Sequence, residues 1–287
     1  MKKYVIITPA RDEEANIQKT ILAVVGQSVL PAQWIVVNDG SRDSTPAIID
    51  RAAELYPWIT PVHRSDRGFR QAGGGVIATF YDGYSAMNVP DWDFIVKLDA
   101  DLNFAPDYFE RCLAEFDKDP RLGIGGGGIY HDTPTGLKLE QNPAFHVRGA
   151  TKIYRRECWD QLGGLLKAAG WDTIDEVKAN MLGWNTRTFP MLQVSHSRYT
   201  GAADGAWKDS VKNGFANYVT GYHPVFMLVK CLRRLALKPY FIGSIGLAWG
   251  FIKGYCKGAR QAQDPAFISY VRSQQMRRLL FQESIWK

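Results

Sequence analysis

Four short apolar runs, each followed by polar residues, constrain the fold of this chain more than any other feature of its sequence. They are Y-V-I-I-T at 4–8, W-I-V-V at 34–37, I-T-P-V-H at 59–63 and F-I-V-K-L at 94–98. Helical stretches at about 16–25, 45–55 and 76–87 separate them. Strands that alternate with helices predict an α/β fold with a Rossmann-like, mostly parallel sheet flanked by helices.

The polar segments after these strands predict where a ligand binds. In open parallel sheets, ligands lie at the carboxyl ends of the strands. Here those ends carry Pro9–Glu13, Asn38–Ser41, Arg64–Arg70 and Asp99–Asp101. Because four separate segments contribute polar groups, we expect a ligand site at this edge of the sheet.

Two acids, Asp99 and Asp101, follow the fourth strand one residue apart. Burying them without a partner would be costly, whereas a turn that faces a cation accounts for both. Mg²⁺ and Mn²⁺ prefer oxygen ligands, and one or two carboxylates suffice when phosphate oxygens and water fill the other positions. Aspartate is also common in plain turns, so the pair predicts a cation site only together with the other strand ends.

The charge of the chain is unevenly distributed. Residues 224–287 hold 11 Lys and Arg against two acids, a net charge of +9, whereas residues 1–223 hold 24 against 27. Such a basic segment is typical of contact with an anionic surface, either a membrane or a nucleic acid.

The pattern within the basic segment favours a membrane over nucleic acid. Along Val225–Leu237, the apolar positions 225, 228, 229, 232, 235 and 236 share one helical face, with Lys230, Arg233 and Arg234 opposite. Residues 240–252 are almost uncharged, but 13 helical residues span only about 20 Å, short of a bilayer core of roughly 30 Å. We therefore expect helices that lie in the membrane interface. A helical cap on the rest of the chain and an oligomer interface stay open as alternatives.

The cysteines and the amino-terminal run bear on the compartment. Cys112, Cys158, Cys231 and Cys256 are far apart and form no metal-like pair, which is typical of a reduced, cytosolic protein. The apolar run before Thr8 is too short for the core of a signal peptide. We expect a cytoplasmic protein, peripheral on the inner face of the cell membrane.

Taken together, the motifs resemble those of the family 2 glycosyltransferases. The matching pieces are I-I-T-P-A-R-D-E-E-A-N-I at 6–17, V-V-N-D-G-S-R-D-S-T at 36–45, K-L-D-A-D-L at 97–102, Y-R-R-E-C-W-D-Q-L-G-G-L at 154–165 and G-W-D-T-I-D-E-V-K-A-N-M-L-G-W at 170–184. The resemblance implies a glycosyltransferase A fold over 1–223, with a nucleotide-binding half at 1–105, an acceptor and catalytic half at 106–223 and the basic helical tail at 224–287.

The resemblance also implies a donor site and a metal site. Asp39 would accept a hydrogen bond from the nucleotide base, in a pocket lined by Pro9 and Glu13. The whole donor-binding set is Pro9, Arg11, Glu13, Asp39, Arg70, Asp99, Arg148, Gly149 and Arg198. The metal set, for Mg²⁺ or Mn²⁺, is Asp99, Asp101 and His196.

The catalytic base is expected at the start of the helix near 171–176. The family usually shows adjacent Glu and Asp at this motif, and counting back from Gly183-Trp184 places Trp171-Asp172 there. Asp172 therefore inherits the role of base. Asp175 lies one turn later on the same helical face and stays an alternative.

The implied reaction is inverting, metal-dependent transfer of a hexosyl or N-acetylhexosaminyl group from a nucleoside diphosphate sugar. The acceptor would be a hydroxyl on a lipid-linked or cell-envelope glycan.

A sugar nucleotidylyltransferase is a rival function, but such an enzyme should carry a Gly-rich signature with Arg where this chain has T-P-A-R-D-E-E. A phosphohydrolase should carry its Asp-x-Asp pair after the first strand. An inactive membrane-bound scaffold is disfavoured because every expected acid is present.

Overall fold

A computed structural model describes residues 2–66, 68, 74–133, 136–196, 205–237, 240–262 and 264–286 of the chain. The strands are β1 (Tyr4–Ala10), β2 (Gln33–Asn38), β3 (Ile59–His63), β4 (Phe94–Leu98), β5 (Leu102–Phe104), β6 (Leu122–Thr133), β7 (Gly136–Leu139), β8 (Thr151–Arg155) and β9 (Asn185–His196). The helices are α1 (Ile17–Val25), α2 (Thr45–Leu55), α3 (Gly74–Ser85), α4 (Tyr108–Lys118), α5 (Arg156–Leu162), α6 (Trp171–Met181), α7 (Gly205–Val219), α8 (Pro224–Arg234), α9 (Ile242–Cys256) and α10 (Pro265–Leu279).

One sheet joins all these strands in the order β3-β2-β1-β4-β8-β6-β9-β5, and β7 pairs with β6. The first four strands are parallel, as the alternation of strands and helices predicted. Every residue of β2 and β4 is buried because helices cover both faces of the sheet. The predicted parallel half is therefore confirmed.

The second half of the sheet is mixed. β8 runs antiparallel to β4 and β6, whereas β6 and β9 are parallel. This half begins where β4 ends, so that β8 lies directly beside the strand that carries the Asp-x-Asp pair. The sequence analysis did not predict β5, β7 or β9.

The glycine run in β6 serves close packing of the backbone. A Cβ on Gly126 would overlap the carbonyl oxygen of Thr151 on β8. A Cβ on Gly127 would overlap the carbonyl oxygen of Leu192 on β9. The amide of Gly127 also donates a hydrogen bond to the hydroxyl oxygen of Tyr108, at 2.9 Å. These contacts hold β8 and β9 tightly on either side of β6.

The carboxyl-terminal helices pack on the preceding part of the chain through a shared hydrophobic cluster. Its buried members include Phe145, Ile174 and Val177 from the earlier part of the chain, with Phe267 and Trp286 from the tail. The predicted boundary at residue 223 thus falls inside a common core, and the division of the chain there stays a prediction. No helix in the described ranges combines the length and the apolar character needed to cross a membrane.

Candidate functional site

The carboxyl ends of β1 and β2 form one wall of the candidate site. Their pairing sets Ala10 opposite Asn38, and the amide of Asp39 donates to the carbonyl oxygen of Ala10 at 2.8 Å. The Asp39 carboxylate is nearly buried and accepts a hydrogen bond from Arg64 at 2.8 Å. Arg64 also donates to the hydroxyl of Thr79, at 2.6 Å, which fixes the guanidinium beside the aspartate.

The loops after these strands are tied together by Arg11. Its guanidinium donates to the carbonyl oxygen of Asp39 at 2.7 Å and to the carboxylate of Asp66 at 2.8 Å. Gly40 adopts φ +68°, and a Cβ there would lie 2.5 Å from Cα of Asp66, so this turn requires glycine. Glu13 is buried below the turn, and its amide donates to the hydroxyl of Thr45.

The predicted donor-binding residues at this wall therefore come together. Pro9, Arg11 and Glu13 lie at the end of β1 and Asp39 at the end of the neighbouring strand. Two predicted residues, Arg70 and Arg198, lie outside the described residues.

Asp99, Asp101 and His196 form a second cluster at the end of β4. β5 pairs with β9 so that Leu102 faces His196, which places the preceding Asp101 beside the imidazole. The His196 Nε2 atom lies 3.1 Å from each carboxylate oxygen of Asp101. One ligand atom from each of the three residues can be chosen so that all lie within 4.8 Å of one another.

The chemistry of this cluster suits a divalent cation. Two carboxylates supply the oxygen atoms that Mg²⁺ and Mn²⁺ prefer. The Nδ1 atom of His196 is buried, and no hydrogen-bond partner for it is found among the described residues. Burial lowers the pKa of His196, but its hydrogen bond to Asp101 and the charges of both aspartates outweigh this and raise the pKa overall. The raised pKa favours the protonated imidazole, and a cation bound at His196 would displace that proton.

Lys97 is a functional candidate that the sequence analysis missed. It is buried within β4, where its ammonium contacts the Asp99 carboxylate and donates to the carbonyl oxygen of Gly149 at 2.6 Å. The amide of Asp99 in turn donates to the carbonyl oxygen of Ala150 at 2.8 Å. Lys97 thus connects the Asp99–Asp101–His196 cluster to the loop before β8. A lone lysine inside the apolar run F-I-V-K-L was the available signal, because a buried ammonium requires a partner.

Arg148 and Gly149 lie between the Asp99–Asp101–His196 cluster and helix α6. A Cβ on Gly149 would lie 2.9 Å from the ring of Trp171 and 3.3 Å from Cβ of Asp172, so the helix meets the bare backbone of this loop. The Arg148 guanidinium pairs with Glu140 at 2.9 Å. The predicted donor residues of this loop and the predicted base therefore lie side by side.

Asp172 occupies the first turn of α6 and is half-buried. Among the described residues, no side chain donates a hydrogen bond to the carboxylate of Asp172. Burial raises the pKa of Asp172, but the charges of His146, Lys152 and Arg148 outweigh burial and hold the pKa below its ordinary value. The positive end of the helix dipole favours the same ionised form. The carboxylate is thus charged near neutral pH.

Asp175, the alternative base, lies in the interior. It is 4% exposed, and its carboxylate accepts hydrogen bonds from Lys152 at 2.9 and 3.0 Å and from the Tyr154 hydroxyl at 2.5 Å. Burial raises the pKa of Asp175, and the neighbouring carboxylate of Glu176 adds to the rise. The structure therefore buries the carboxylate of Asp175 in the interior and leaves Asp172 partly accessible, beside the loop at Gly149.

Glu176 connects the same lysine to the loop before β8. It is completely buried and pairs with Lys152 at 2.7 Å. Its other contacts are the amide of Val147 at 2.7 Å and the imidazole of His146 at 2.8 Å. The sequence analysis missed Lys152 and Glu176, because the mixed sequence T-K-I-Y-R around the lysine does not show that the strand is buried.

The sequence of this chain matches the family described as "Glycosyl transferase family 2" over residues 5–167. The chain belongs to glycosyl transferase family 2. This confirms the resemblance stated above from the motifs. Among curated relatives, it is 29% identical over 117 residues to a chondroitin synthase and to a hyaluronan synthase, both of Pasteurella multocida. It is 27% identical over 138 residues to a polyprenol monophosphomannose synthase of Mycolicibacterium smegmatis.

These matches cover limited parts of the proteins compared. They span 41% of this chain and 11% of each Pasteurella synthase, and 46% of this chain and 49% of the mycobacterial synthase. The chain therefore spans about a tenth of the length of each Pasteurella synthase and about half the length of the mycobacterial synthase.

Solved structures resemble the whole fold of this family 2 member. A mannosyltransferase of Pyrobaculum calidifontis, in complex with GDP-Man and Mn²⁺, has a TM-score of 0.57 at 16% identity, covering 98% of this chain and 88% of that one. TarS 1–349 of S. aureus, in complex with UDP, has a TM-score of 0.55 at 14% identity, covering 88% and 72%. These likenesses confirm the predicted glycosyltransferase A fold.

We expect the affinity of the Asp99–Asp101–His196 cluster for Mn²⁺ to depend steeply on pH. Because the aspartates raise the pKa of His196, the proton that competes with the metal is already bound at mildly acid pH. Affinity should rise as the pH rises through this pKa, and His196→Ala should flatten the dependence. Titration calorimetry at several pH values measures this, with His63→Ala as the matched histidine control. A His196→Ala protein with the wild-type pH profile would contradict the assignment.

We expect Lys152→Met to lower the free energy of unfolding by about 3–5 kcal/mol, because it leaves the buried carboxylates of Asp175 and Glu176 without their cation. Lys118→Met is the control, since it removes a lysine from an exposed pair with Glu115 and should cost about 0–1 kcal/mol. Urea unfolding followed by circular dichroism measures both. Equal costs for the two variants would show that the buried cluster does not hold the fold.

Proposed function

We propose that the chain is an inverting, metal-dependent glycosyltransferase that moves a sugar from a nucleoside diphosphate sugar to a hydroxyl group. The observation that carries this proposal is the position of one loop, Arg148–Ala150. On one side it is bound to Asp99 of the metal cluster, and on the other it touches Asp172. A cation for the leaving group and a base for the acceptor would thus be positioned by the same short segment.

The donor would occupy the edge formed by β1, β2 and β4. Asp39, at the end of β2, is proposed to accept a hydrogen bond from the nucleotide base, and Pro9, Arg11 and Glu13 form the surrounding wall. Arg148 and Gly149 would lie at the donor sugar. Structures of the two similar proteins contain GDP-Man and UDP, which supports a nucleotide at this edge.

Asp99, Asp101 and His196 are proposed to hold Mg²⁺ or Mn²⁺. When bound, the cation supplies Lewis-acid neutralisation of the diphosphate as the bond to the sugar breaks. Lys97 would keep Asp99 aligned and place a fixed positive charge beside it. The Mn²⁺ in the Pyrobaculum mannosyltransferase supports this part of the proposal.

Asp172 is proposed as the general base. An acceptor hydroxyl has a high pKa and attacks weakly, so a carboxylate that receives its proton during attack speeds the reaction. The charges of His146, Lys152 and Arg148 keep Asp172 ionised and ready for this proton. A single displacement opposite the leaving group inverts the anomeric carbon and needs no nucleophile from the protein. Asp175 would position the helix through Lys152 and Tyr154 instead of contacting substrate.

The acceptor class and the location follow the relatives and the charge distribution. The names of the similar synthases refer to chondroitin, hyaluronan and a polyprenol phosphomannose. We propose a glycan or lipid-linked glycan acceptor of polysaccharide biosynthesis, used at the inner face of the cell membrane. The net charge of +9 on residues 224–287 supports an anionic surface as partner.

We expect Asp172→Asn to reduce transfer by roughly 10²–10⁴-fold while donor binding is retained, because only the proton acceptor is lost. Asp175→Asn should instead lower the melting temperature and retain transfer below it. Radiolabelled or fluorescent sugar transfer measures the rate, and thermal shift measures donor binding. Asp160→Asn, an exposed acid on α5, is the matched control. The assignment of the base fails if Asp175→Asn abolishes transfer and Asp172→Asn does not.

We expect one nucleoside diphosphate sugar to raise the melting temperature of the chain more with Mn²⁺ than without it. A ligand at 100 times its Kd stabilises by about 2.7 kcal/mol, so the correct donor should stand out in a thermal-shift panel. Asp101→Ala should remove the metal-dependent part of the shift and nearly all transfer. Asp91→Ala, an exposed acid far from β5, is the control. A donor shift that is identical with and without metal would overturn the metal role.

A further inference from the structure

Helix α9 packs against α7 through its smallest residues. A Cβ on Gly250 would overlap the carbonyl oxygen of Val211, and one on Gly254 would overlap the ring of Tyr218. One turn earlier, a Cβ on Gly246 would lie 2.8 Å from the side chain of Ser210. The glycines at every fourth position therefore let the two backbones touch, a mode of packing common between helices in membranes.

The opposite face of α9 carries large apolar side chains that point away from the protein. Ile242, Ile245, Trp249 and Ile252 are 51%, 55%, 54% and 49% exposed. Their spacing of three or four residues aligns them in one stripe along the helix. A helix at a water-facing surface normally buries such residues and exposes polar ones. α9 buries Leu247 and Phe251 beside its glycines but leaves these four large apolar residues exposed.

Helix α8 extends this apolar face. It buries Met227 and Cys231 against the protein and leaves Val225, Leu228 and Leu232 exposed. The hydroxyl of Ser244 donates to the carbonyl oxygen of Cys231 at 2.7 Å, which ties α9 to α8. In the described part of the connecting turn, the large apolar residues Leu237, Tyr240 and Phe241 are exposed as well. We call the exposed apolar residues of α8, α9 and this turn the α8–α9 surface.

The structure shows which residues of the predicted amphipathic pattern are exposed. The apolar face at 225, 228, 229, 232, 235 and 236 was expected to lie in the membrane interface, with a cap on the rest of the chain or an oligomer contact as alternatives. Of this face, Val225, Leu228 and Leu232 are exposed and form a stripe along α8. In the structure, these helices do cap the catalytic half, but they do so with other residues and leave the stripe outside. A continuous exposed apolar patch of this kind marks an interaction or membrane site.

The charge around this surface favours one kind of partner. From Ser210 to Gln263 the sequence has eight Lys and Arg and no Asp or Glu. Lys230 lies over the ring of Tyr222 and is half-buried, but Arg233 and Lys257 are exposed. A second copy docked symmetrically on this face would bring these basic segments together. An anionic lipid surface would neutralise them, at about 1 kcal/mol per residue.

We propose that the α8–α9 surface docks on a bilayer that contains anionic phospholipid. α9 lies in the plane of the interface, since its 15 residues extend about 22 Å and its apolar stripe runs along its whole length. Trp249 and Tyr240 enter the headgroup region, where aromatic side chains are favoured. The proposal deepens the proposed location of the enzyme and does not use the proposed chemistry.

Vesicle flotation of the full chain tests the docking surface. The chain should float with vesicles of phosphatidylcholine and phosphatidylglycerol, and less with phosphatidylcholine alone. The triple variant Ile245→Ser, Trp249→Ser, Ile252→Ser should bind more than about 100-fold more weakly, because three large apolar side chains no longer enter the lipid. The control variant Leu22→Ser, Leu55→Ser, Met191→Ser changes three apolar residues elsewhere that are at least as exposed, and it should float like the wild type.

Three results would overturn the proposal: no flotation with anionic vesicles, flotation of the triple variant equal to wild type, or a lipid-free dimer in analytical ultracentrifugation that the triple variant abolishes. The last result would assign the surface to a second copy of the chain. Point variants are preferred to truncation after residue 223, because truncation would remove half of the shared hydrophobic cluster. Donor thermal shift on the same proteins confirms folding and separates the outcomes, since lipid binding without a donor shift would disprove only the transferase proposal.

Discussion

The ion cluster around Lys152 is the interaction on which the rest of the candidate site depends. Its ammonium contacts the carboxylates of Asp175 and Glu176 and the carbonyl oxygen of Asp172, all on one helix. Glu176 then holds the backbone of Val147 in the loop before β8. Charges in a dry interior are tolerated only when each has its partner. Strand β8, helix α6 and this loop therefore form one unit, and the position of Asp172 relative to the loop is set by the core.

A second buried lysine connects the other half of the site to the same loop. Lys97 on β4 faces Lys152 on β8 across the antiparallel pairing. Both ammonium groups lie over the ring of Trp171, at 5.6 and 5.4 Å from its centre. Two like charges can be neighbours here because Lys97 pairs with the carboxylate of Asp99, whereas Lys152 pairs with those of Asp175 and Glu176. The contact with the aromatic ring adds a favourable interaction for each ammonium. One lysine aligns the proposed metal ligand Asp99, the other aligns the helix that carries the proposed base.

Close backbone packing occurs twice in this protein, with opposite consequences. In β6 the glycines draw β8 and β9 together and lie within the core. In α9 they draw the helix onto α7, and Ile242, Ile245, Trp249 and Ile252 are left outside. The family match ends at residue 167, so the helices that form the α8–α9 surface lie beyond it.

The sequence by itself determined the parallel half of the sheet and most candidate residues. Local apolar runs, helix starts and strand ends are readable along the chain, and they placed Asp39, Asp101 and Asp172 at strand or helix termini. Only the tertiary structure decided the partners. The pairing of β5, just three residues long, with β9 sets His196 beside Asp101 across 95 positions of sequence. Asp175 differs from Asp172 because its carboxylate is bound in the interior by Lys152, which belongs to a strand distant in sequence. Contacts between remote segments leave no local pattern, because their energy arises only when the chain has folded.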